Sequence, residues 1–322
     1  MKRLSILAVL MFTVALLCPA AWAKTYTISV NQFVEHPALD AVLKGVQDSL
    51  KEQGLDVTYN VHNAQANMAT ANQIAQAIAG EHPDLVVAIA TPSAQACAQI
   101  VKKAPHMAQV PLLFSAVTDP KGAGLVADLM HPAANISGVS DMTPVDKHLA
   151  MIMEILPELK ALGVVYNSGE ANSKTLVGML REACKAQGVT LEEASASKTS
   201  DVYQATKSLV GRTQGVYVPT DNTVVSALES MVKVCEQNKL PLFAADVDSV
   251  PRGAVAALGF DYYLHGKQTG AMAGRIFGGA TIAQTPVEFQ EGMNLHLNLS
   301  AAKAQGVTLP EAIIKKADKI LQ

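Results

Sequence analysis

Short apolar runs alternate with longer amphipathic segments along most of the chain. The runs at 85–90 and 215–218 are apolar almost throughout, which is typical of strands that are buried on both faces. Between such runs, apolar residues recur every three or four positions, as expected for helices. In segment 37–52 these residues are Leu39, Val42, Leu43, Val46 and Leu50.

This alternation predicts an α/β fold with parallel sheets that are covered on both faces by helices. The β/α series could close into one barrel or form two doubly wound sheets. The Gly/Pro/Asn-rich stretch 119–144 favours two lobes, with a domain crossover in that stretch. The predicted strands are 25–30, 57–61, 85–90, 111–117, 161–166, 190–194, 215–218, 242–245 and 254–260. The predicted helices are 37–52, 68–79, 93–103, 145–156, 172–187, 202–210, 223–238 and 262–277.

Polar residues follow many of these strands, at the sheet edge where open α/β folds bind ligands. A helix cap explains any one of them, and Asp221 could simply cap the helix that follows it. Six polar strand ends in succession favour a binding site for a small zwitterion. Hydroxyl and N–H groups would bind its carboxylate, and acidic side chains would bind its ammonium. The strand ends are 31–36, 91–93, 115–120, 167–173, 219–222 and Asp246.

The first 23 residues have the pattern of a cleavable secretory signal peptide. Lys2 and Arg3 precede an apolar run at 4–17, and Ala21-Trp22-Ala23 is a small-x-small cleavage signal. Lipid attachment at Cys18 is disfavoured because the large residue Leu17 precedes it. We therefore expect a mature, soluble protein that begins near Lys24 and is located in the periplasm.

The composition excludes several classes of protein. The chain has 322 residues, 49% of them hydrophobic and 16% charged, which suggests two domains. Without Lys2 and Arg3, 23 basic residues face 28 acidic ones, a net charge of −5 without any basic block, so nucleic acid is not an expected partner. The sequence lacks GxSxG, HExxH and Walker A motifs, and it has no GxGxxG motif at a strand–helix turn, which argues against an enzyme.

We expect no metal site, because the sequence has no CxxC or Cys/His spacing, and we expect no cofactor. Cys97, Cys184 and Cys235 are expected to be buried and reduced, although the sequence leaves open whether any two of them pair.

Several long segments resemble the substrate-binding proteins of ABC importers, in the branch similar to tryptophan and other aromatic amino acid binders. The resemblance covers nearly the whole mature chain, in order. Its segments are VEHPALDAVLKGVQDSL (34–50), NAQANMATANQIAQAIAGEHPDLVVAIATPSAQA (63–96), PLLFSAVTDPKGAGLV (111–126), the stretch from NISGVSD to NSGEANS (135–173), YVPTDNTVVSALES (217–230), AVAALGFDYY (254–263) and NLSAAKAQGVTLP (298–310).

The resemblance implies a type I periplasmic-binding fold, in which three crossovers join two lobes and the ligand lies between them. It implies a first lobe of 24–140 plus 252–284 and a second lobe of 141–251 plus 285–322. Periodicity alone does not indicate this return of the chain to the first lobe.

The resemblance also places the strand-end residues in the cleft. The first lobe would contribute Gln32, His36, Thr91, Ser93, Ser115, Val117 and Asp119. The second lobe would contribute Tyr166, Glu170, Asn172, Ser173, Thr220, Asp221, Asn222 and Asp246. We expect Thr91, Ser93 and Ser115 to bind the ligand carboxylate, and Asp221, Asn222 or Asp246 to bind the ammonium. His36 could instead serve in capping or lobe packing.

The resemblance therefore predicts a monomeric solute-binding component of an ABC importer, for an amino acid such as Phe, Trp or Tyr. The two lobes would close on the ligand, and the closed form would dock on a permease with its ATPase. The alternative is a periplasmic sensor that presents the same solute to a membrane receptor, because both proteins would use the same cleft.

Overall fold

The computed structural model describes residues 24–133 and 135–322, so the predicted signal peptide with Cys18 lies outside the described residues. The strands are β1 (Thr25–Gln32), β2 (Asp56–Asn63), β3 (Leu85–Ile89), β4 (Leu112–Ser115), β5 (Ile136–Ser140), β6 (Ala161–Tyr166), β7 (Thr190–Ser195), β8 (Gly215–Val218), β9 (Leu242–Ala244), β10 (Ala256–Gly259), β11 (Glu288–Phe289), β12 (Asn294–Asn298) and β13 (Lys319–Leu321). The α-helices are α1 (Pro37–Glu52), α2 (Met68–Glu81), α3 (Thr91–Lys103), α4 (Val145–Ile155), α5 (Ala171–Ala186), α6 (Val202–Lys207), α7 (Asn222–Ser226), α8 (Leu228–Asn238), α9 (Tyr262–Phe277), α10 (Leu299–Ala304) and α11 (Glu311–Ile314).

Two sheets form the centres of two lobes. The first sheet has the strand order β11-β5-β4-β3-β1-β2, and all its pairs are parallel. The second has the order β13-β12-β10-β9-β8-β6-β7 and is parallel except for the antiparallel pair β10–β12. The predicted α/β class with two doubly wound lobes is therefore confirmed, and the barrel alternative is excluded.

The chain crosses between the lobes at 141–144, 260–261 and 290–293, and two of these points differ from the predicted boundaries. Strand β10 pairs with β9 in the second sheet, so the return to the first lobe begins at helix α9 and not at residue 252. Strand β11 pairs with β5 in the first sheet, so the last crossover follows residue 289 and not 284. Both strands are short, and their sheet is decided by long-range pairing that the local sequence does not specify.

Helix α9 joins the first lobe by packing closely against helix α1. A Cβ atom at Gly266 would overlap the backbone carbonyl of Val42, and one at Gly45 would overlap the carbonyl of Tyr263. Only glycine permits backbones to approach this closely. The contact fixes the first turn of α9, which lies beside the crossovers.

Most predicted elements match the structure to within a few residues, with two main differences. Strand β5 lies in the stretch that was predicted as a crossover loop, and its sequence ISGVS carries too few apolar residues to indicate a strand. Gly138 is needed there because a Cβ atom would overlap the carbonyl oxygen of Phe114 on the adjacent strand. The predicted helix 223–238 is two helices, α7 and α8, separated at Ala227.

The three cysteines are buried and free, as predicted. Burial raises the pKa of Cys97 and Cys235 to about 12 and that of Cys184 to about 11, so these thiols stay protonated at neutral pH. Within the described part of the chain, no three His, Cys, Asp or Glu side chains are grouped as a metal ion would require. None of the described helices combines the length and apolar character that crossing a membrane requires.

Candidate ligand-binding site

A cavity lies between the two lobes, at the carboxyl ends of their parallel strands. It contains about 340 Å³ of space without protein atoms, part of which is open to solvent. The lining residues are His36, Ala38, Leu39, Ala116, Thr118, Asp141 and Tyr262 on the first-lobe side and Asn172, Thr220, Asp221, Asn222, Val225 and Asp246 on the second-lobe side.

Glu170 organises the second-lobe wall from behind. Its carboxylate is buried and accepts hydrogen bonds from Asn222, at 3.2 Å from the backbone N and 2.6 Å from Nδ2. It also accepts bonds from the backbone N (2.9 Å) and Oγ1 (2.7 Å) of Thr223 and from Nδ2 of Asn172 (3.2 Å). These bonds join the ends of β6 and β8 and fix two amide side chains that face the cavity.

Asp221 both caps a helix and lines the cavity. Its Oδ1 accepts a hydrogen bond from the backbone N of Val224 at 2.8 Å, which caps helix α7. Its Oδ2 accepts bonds of 2.6 Å from the backbone N of Asn167 and from Oγ of Ser173. Burial, and then the negative charge of Glu170, raise the pKa of Asp221 to about 8. A cation in the cavity would therefore favour its ionised form.

Asp246 supplies another carboxyl group from the end of β9. It accepts hydrogen bonds from the backbone N (2.9 Å) and Oγ (2.7 Å) of Ser249. Burial raises its pKa, although the Ser249 bond and the charge of Arg252 oppose this effect. The guanidinium of Arg252 is paired with Glu229, at 2.8 Å, so it is not available as a direct partner for Asp246.

The first-lobe wall includes a backbone turn and a crossover residue, beside the lining residues near the start of α1. Ala116 follows β4 with φ +53°, a left-handed conformation that is uncommon for residues other than glycine. Asp141 lies in the first crossover, where Oδ1 accepts a bond from Thr118 (3.2 Å) and Oδ2 accepts one from the hydroxyl of Tyr262 (2.8 Å). Tyr262 is the first residue of α9, directly after the second crossover, so this bond connects the first crossover to the start of α9.

Three buried polar atoms at the cavity have no hydrogen-bond partner among the described residues: His36 Nδ1, Asn172 Oδ1 and Thr220 Oγ1. A buried polar group without a partner costs about 1–3 kcal/mol. Burial, followed by the charge of Arg252, lowers the pKa of His36 to about 3, so its ring is neutral at physiological pH and offers one donor and one acceptor. These atoms are available to a polar ligand.

The lining of the cavity is acidic. Among the described residues, its lining includes the carboxyl groups of Asp141, Asp221 and Asp246 but no lysine or arginine. Buried carboxylates need compensation by a positive charge or by protonation. The arrangement therefore suits a ligand that carries an ammonium group together with hydrogen-bonding groups.

Six of the predicted residues line this cavity: His36, Asn172, Thr220, Asp221, Asn222 and Asp246. Glu170 and Ser173 stand behind them and bond to Asn222 and Asp221, respectively. The structure places the other predicted residues away from the lining: Gln32, Thr91, Ser93, Ser115, Val117, Asp119 and Tyr166.

Bonds within each lobe explain most of these differences. The hydroxyl of Ser93 donates to Asn31 (2.9 Å) and that of Ser115 is bonded to Thr269 (2.7 Å), so neither is directed at the cavity. Gln32 donates to Asp40 (2.7 Å), Asp119 accepts a bond from Gly122 (2.8 Å), and Tyr166 donates to Glu193 (2.8 Å). Val117 and Thr91 are buried in the first lobe, and Oγ1 of Thr91 has no hydrogen-bond partner within residues 24–133 and 135–322.

Sequence reasoning missed three polar lining residues. Thr118 lies within the strand end 115–120, and this position after a strand could have identified it as a lining residue. Asp141 follows a strand that was not predicted, and Tyr262 was placed within a helix without any sign that it faces the site.

Comparison with known proteins decides the family. A family model described as ABC transporter substrate binding protein matches residues 27–321. The chain belongs to this family. The predicted class, an ABC transporter substrate-binding protein, is therefore confirmed.

The substrate-binding protein is similar to a tyrosine-binding protein from Clostridioides difficile (strain R20291). The two are 37% identical over 285 residues, which cover 87% of this chain and 81% of the relative. It is also similar to the solved structure of an ABC domain in complex with L-Trp from Streptococcus pneumoniae, with 31% identity and a TM-score of 0.87 over 92% of this chain and 100% of that one.

A third similar protein is a substrate-binding protein with adhesive properties from Clostridium difficile, solved in a ligand-free, open form. It is 36% identical over 92% of this chain and 99% of that one, with a TM-score of 0.67. More distant solute-binding proteins with 12% and 14% identity have TM-scores of 0.64 and share the two-lobed fold.

Proposed function

We propose that this protein binds an aromatic L-amino acid, such as L-tyrosine or L-tryptophan, between its lobes for an ABC importer. The observation that carries the proposal is the cavity between the lobes. Among the described residues, its lining combines three carboxyl groups and three polar atoms without a hydrogen-bond partner, but no lysine or arginine. An α-amino acid supplies the missing ammonium together with a carboxylate. The relatives that are named for tyrosine and solved with L-Trp support the aromatic side chain.

We assign the ligand ammonium to the second-lobe wall, beside Asp221, Asn222 and Asp246. Their orientation is already fixed by bonds to Glu170, Val224 and Ser249, so little entropy is lost when a ligand binds. For the carboxylate, the hydroxyl of Thr220 and the neutral ring of His36 replace Ser93 and Ser115, whose hydroxyls are engaged elsewhere.

The ligand side chain would lie against the apolar part of the lining. Ala38, Leu39 and Ala116 on one lobe and Val225 on the other provide small or aliphatic surfaces, and Tyr262 provides an aromatic ring. Such surfaces accept a planar ring at little desolvation cost.

Binding would proceed by closure of the lobes about the three crossovers. The TM-score is 0.87 against the L-Trp complex but 0.67 against the open, ligand-free structure, although the latter has the higher sequence identity. The lobe arrangement thus resembles that of the complex more than that of the open protein, which supports two states of the same fold. A ligand that contacts both lobes favours the closed state.

The closed, loaded protein would deliver its ligand to a membrane permease and its ATPase, without chemical change to the ligand. We further propose that the 23-residue leader directs export to the periplasm, and that the mature protein acts as a monomer.

A thermal-shift screen of the protein without its first 23 residues tests the proposal. A ligand present at 100 times its Kd adds about 2.7 kcal/mol to the free energy of unfolding. We expect stabilisation by L-Tyr, L-Trp or L-Phe, but not by L-Lys or L-Glu. Stabilisation by a ligand of another class, with none by the three aromatic amino acids, would contradict the proposed specificity.

Calorimetry with matched variants tests the ammonium assignment. Asp221→Asn and Asp246→Asn should each cost about 2 kcal/mol, a factor of about 30 in Kd, because each removes a buried charge partner. Asp119→Asn is the control, because Asp119 lies outside the lining and bonds to its own turn. Unchanged affinity in both of the first two variants would remove the assignment.

A further inference from the structure

His265 is a fully buried histidine that does not line the cavity but is bonded to a residue that does. It lies in the first turn of α9, and its Nε2 is 2.9 Å from the backbone N of Ala116. Its Nδ1 is 2.9 Å from Oε1 of Gln290. The ring therefore lies between a cavity wall and the third crossover.

The partners of His265 determine its tautomer. The backbone N–H of Ala116 can only donate, so Nε2 must accept and carries no proton. The proton of the neutral ring is then on Nδ1 and is donated to Gln290. Burial lowers the pKa of His265, although Asp141 and the bond to Gln290 oppose this effect, and the lowered pKa favours the neutral form that both bonds require.

Gln290 connects all three crossovers. Its backbone N donates to the carbonyl of Ser140 at the start of the first crossover, at 3.3 Å. Its side-chain Nε2 donates to the carbonyl of Asp261 in the second crossover, at 2.8 Å, and Gln290 itself begins the third. The bond from His265 therefore reaches the region about which the lobes would move.

Ala116 needs an external partner to hold its conformation. A left-handed backbone conformation is unfavourable for alanine, and such residues persist where the surrounding structure constrains them. Among the described residues, His265 is the side chain that bonds to the Ala116 amide, and the contact spans 149 positions of sequence.

We propose that His265 is a positioning residue for ligand binding. Its Nε2 holds the Ala116 turn that forms the first-lobe wall, and its Nδ1–H connects that turn, through Gln290, to the crossovers. Closure of the lobes and the shape of the wall would therefore be coupled. The consequence for affinity rests on the proposed function, whereas the hydrogen bond to Ala116 does not.

Three substitutions of His265 separate its two bonds. His265→Gln can place an amide oxygen near the position of Nε2 and keep the acceptor for Ala116. His265→Asn can place an amide N–H near the position of Nδ1 and keep only the donor to Gln290. His265→Leu keeps neither bond. If only the volume of the side chain mattered, the effects of the three substitutions would not depend on whether the acceptor for Ala116 is kept.

Hydrogen exchange of the ligand-free protein measures directly whether the Ala116 amide is hydrogen-bonded. We expect the Ala116 amide to exchange at least about tenfold faster in His265→Leu and His265→Asn, and within about threefold of wild type in His265→Gln. The amide of Val87, in the core of β3, is the internal reference for global unfolding. Equal protection of Ala116 in all three variants would overturn the proposal.

Calorimetric titration with L-tyrosine tests the functional consequence. The Kd should rise about tenfold in His265→Leu and His265→Asn, but less than about threefold in His265→Gln. Equal Kd values in His265→Leu and His265→Gln would overturn the positioning role. If wild type binds none of the aromatic amino acids, the proposed function fails, and the exchange experiment still decides the His265–Ala116 bond.

Gln290→Leu tests the link to the crossovers from a half-buried position. We expect the Ala116 amide to stay protected, because the acceptor on His265 remains. The Kd for L-tyrosine should rise about fivefold, more than in His265→Gln, because Gln290→Leu also removes the bond to the carbonyl of Asp261. A Kd equal to that of wild type would exclude the connection to the crossovers.

Discussion

The two walls of the cavity are constructed in different ways. The second-lobe wall consists of polar side chains at the ends of neighbouring strands, held by a dense set of bonds around Glu170 and Asp221. In the first-lobe wall, the Ala116 turn and Asp141 are held by His265 and Tyr262, respectively, from a helix more than 100 positions later.

The two walls should therefore respond differently to the loss of a single residue. The second-lobe wall is preorganised by many bonds to buried carboxylates, so the loss of one carboxylate leaves several donors without partners. The first-lobe wall depends on the position of one helix, α9, and on single bonds from it. Substitutions in the two walls should therefore differ in magnitude and in which lobe they destabilise.

The largest effect is expected from Glu170→Ala, which breaks the second-lobe wall. Asn222 and Thr223 would lose buried acceptors, and we expect a loss of about 4 kcal/mol in the free energy of unfolding and a rise in Kd of about a hundredfold. Denaturant unfolding and calorimetry measure both quantities. Glu193→Ala is the control, because its bonds to Arg181 and Tyr166 are at the surface and should contribute less than about 1 kcal/mol. Similar losses in the two variants would contradict the organising role of Glu170.

The contrast between the walls also explains what could be predicted from the sequence. Thr220, Asp221 and Asn222 follow a buried strand directly, and the rule that ligands bind at strand ends identifies them from local sequence. The same rule wrongly placed Ser93 and Ser115 on the cavity wall. Their hydroxyls satisfy Asn31 and Thr269 inside the lobe, and those partners are distant in sequence.

The first-lobe wall could not be predicted in the same way, because its residues are brought together by the return of the chain. Tyr262 reaches Asp141 across 121 positions, and only the assignment of α9 to the first lobe makes that contact possible. The helix itself was predicted correctly from its periodicity. Periodicity predicts an element, whereas the lobe that it joins depends on packing such as that of Gly266 against Val42.

A second prediction tests whether the first-lobe wall depends on the position of α9. Gly266→Ala should cost about 2 kcal/mol of stability, because the new Cβ atom would push α9 away from α1. Gly178→Ala, in helix α5, has nothing within 4 Å of the new Cβ atom and should stabilise by about 0.5–1 kcal/mol. Thermal or urea unfolding distinguishes the two. A neutral Gly266→Ala variant would show that α9 can shift freely and would weaken the proposed role of this helix in the wall.

A third prediction concerns pH and the second-lobe wall. Because the pKa of Asp221 is raised to about 8 and a ligand ammonium favours the carboxylate, binding should release a proton. Affinity should therefore increase with pH, on the order of tenfold between pH 6 and pH 8, and this increase should be smaller in Asp221→Asn. Calorimetry in two buffers of different ionisation enthalpy measures the released proton.

The raised pKa of Asp221 has the opposite effect on the stability of the ligand-free protein, which should decrease as the pH rises. Since the folded pKa of Asp221 lies above the unfolded value of about 3.9, its stabilising contribution is complete below pH 4 and is lost as the pH rises through about 8. The difference in Tm between wild type and Asp221→Asn should follow this trend. Affinity that is independent of pH, together with a constant difference in Tm, would contradict the raised pKa.

The smallest effect is expected from Tyr262→Phe, which removes one bond from the first-lobe wall. Asp141 would lose the Tyr262 hydroxyl but keep Thr118, so we expect a loss of about 1 kcal/mol in stability and a rise in Kd of less than about fivefold. Tyr263→Phe is the matched control, because its hydroxyl bonds to Asp48 outside the cavity lining and its loss should leave the Kd unchanged. If Tyr262→Phe instead weakened binding as strongly as Glu170→Ala, the first-lobe wall would be as preorganised as the second, and the contrast between the two walls would be wrong.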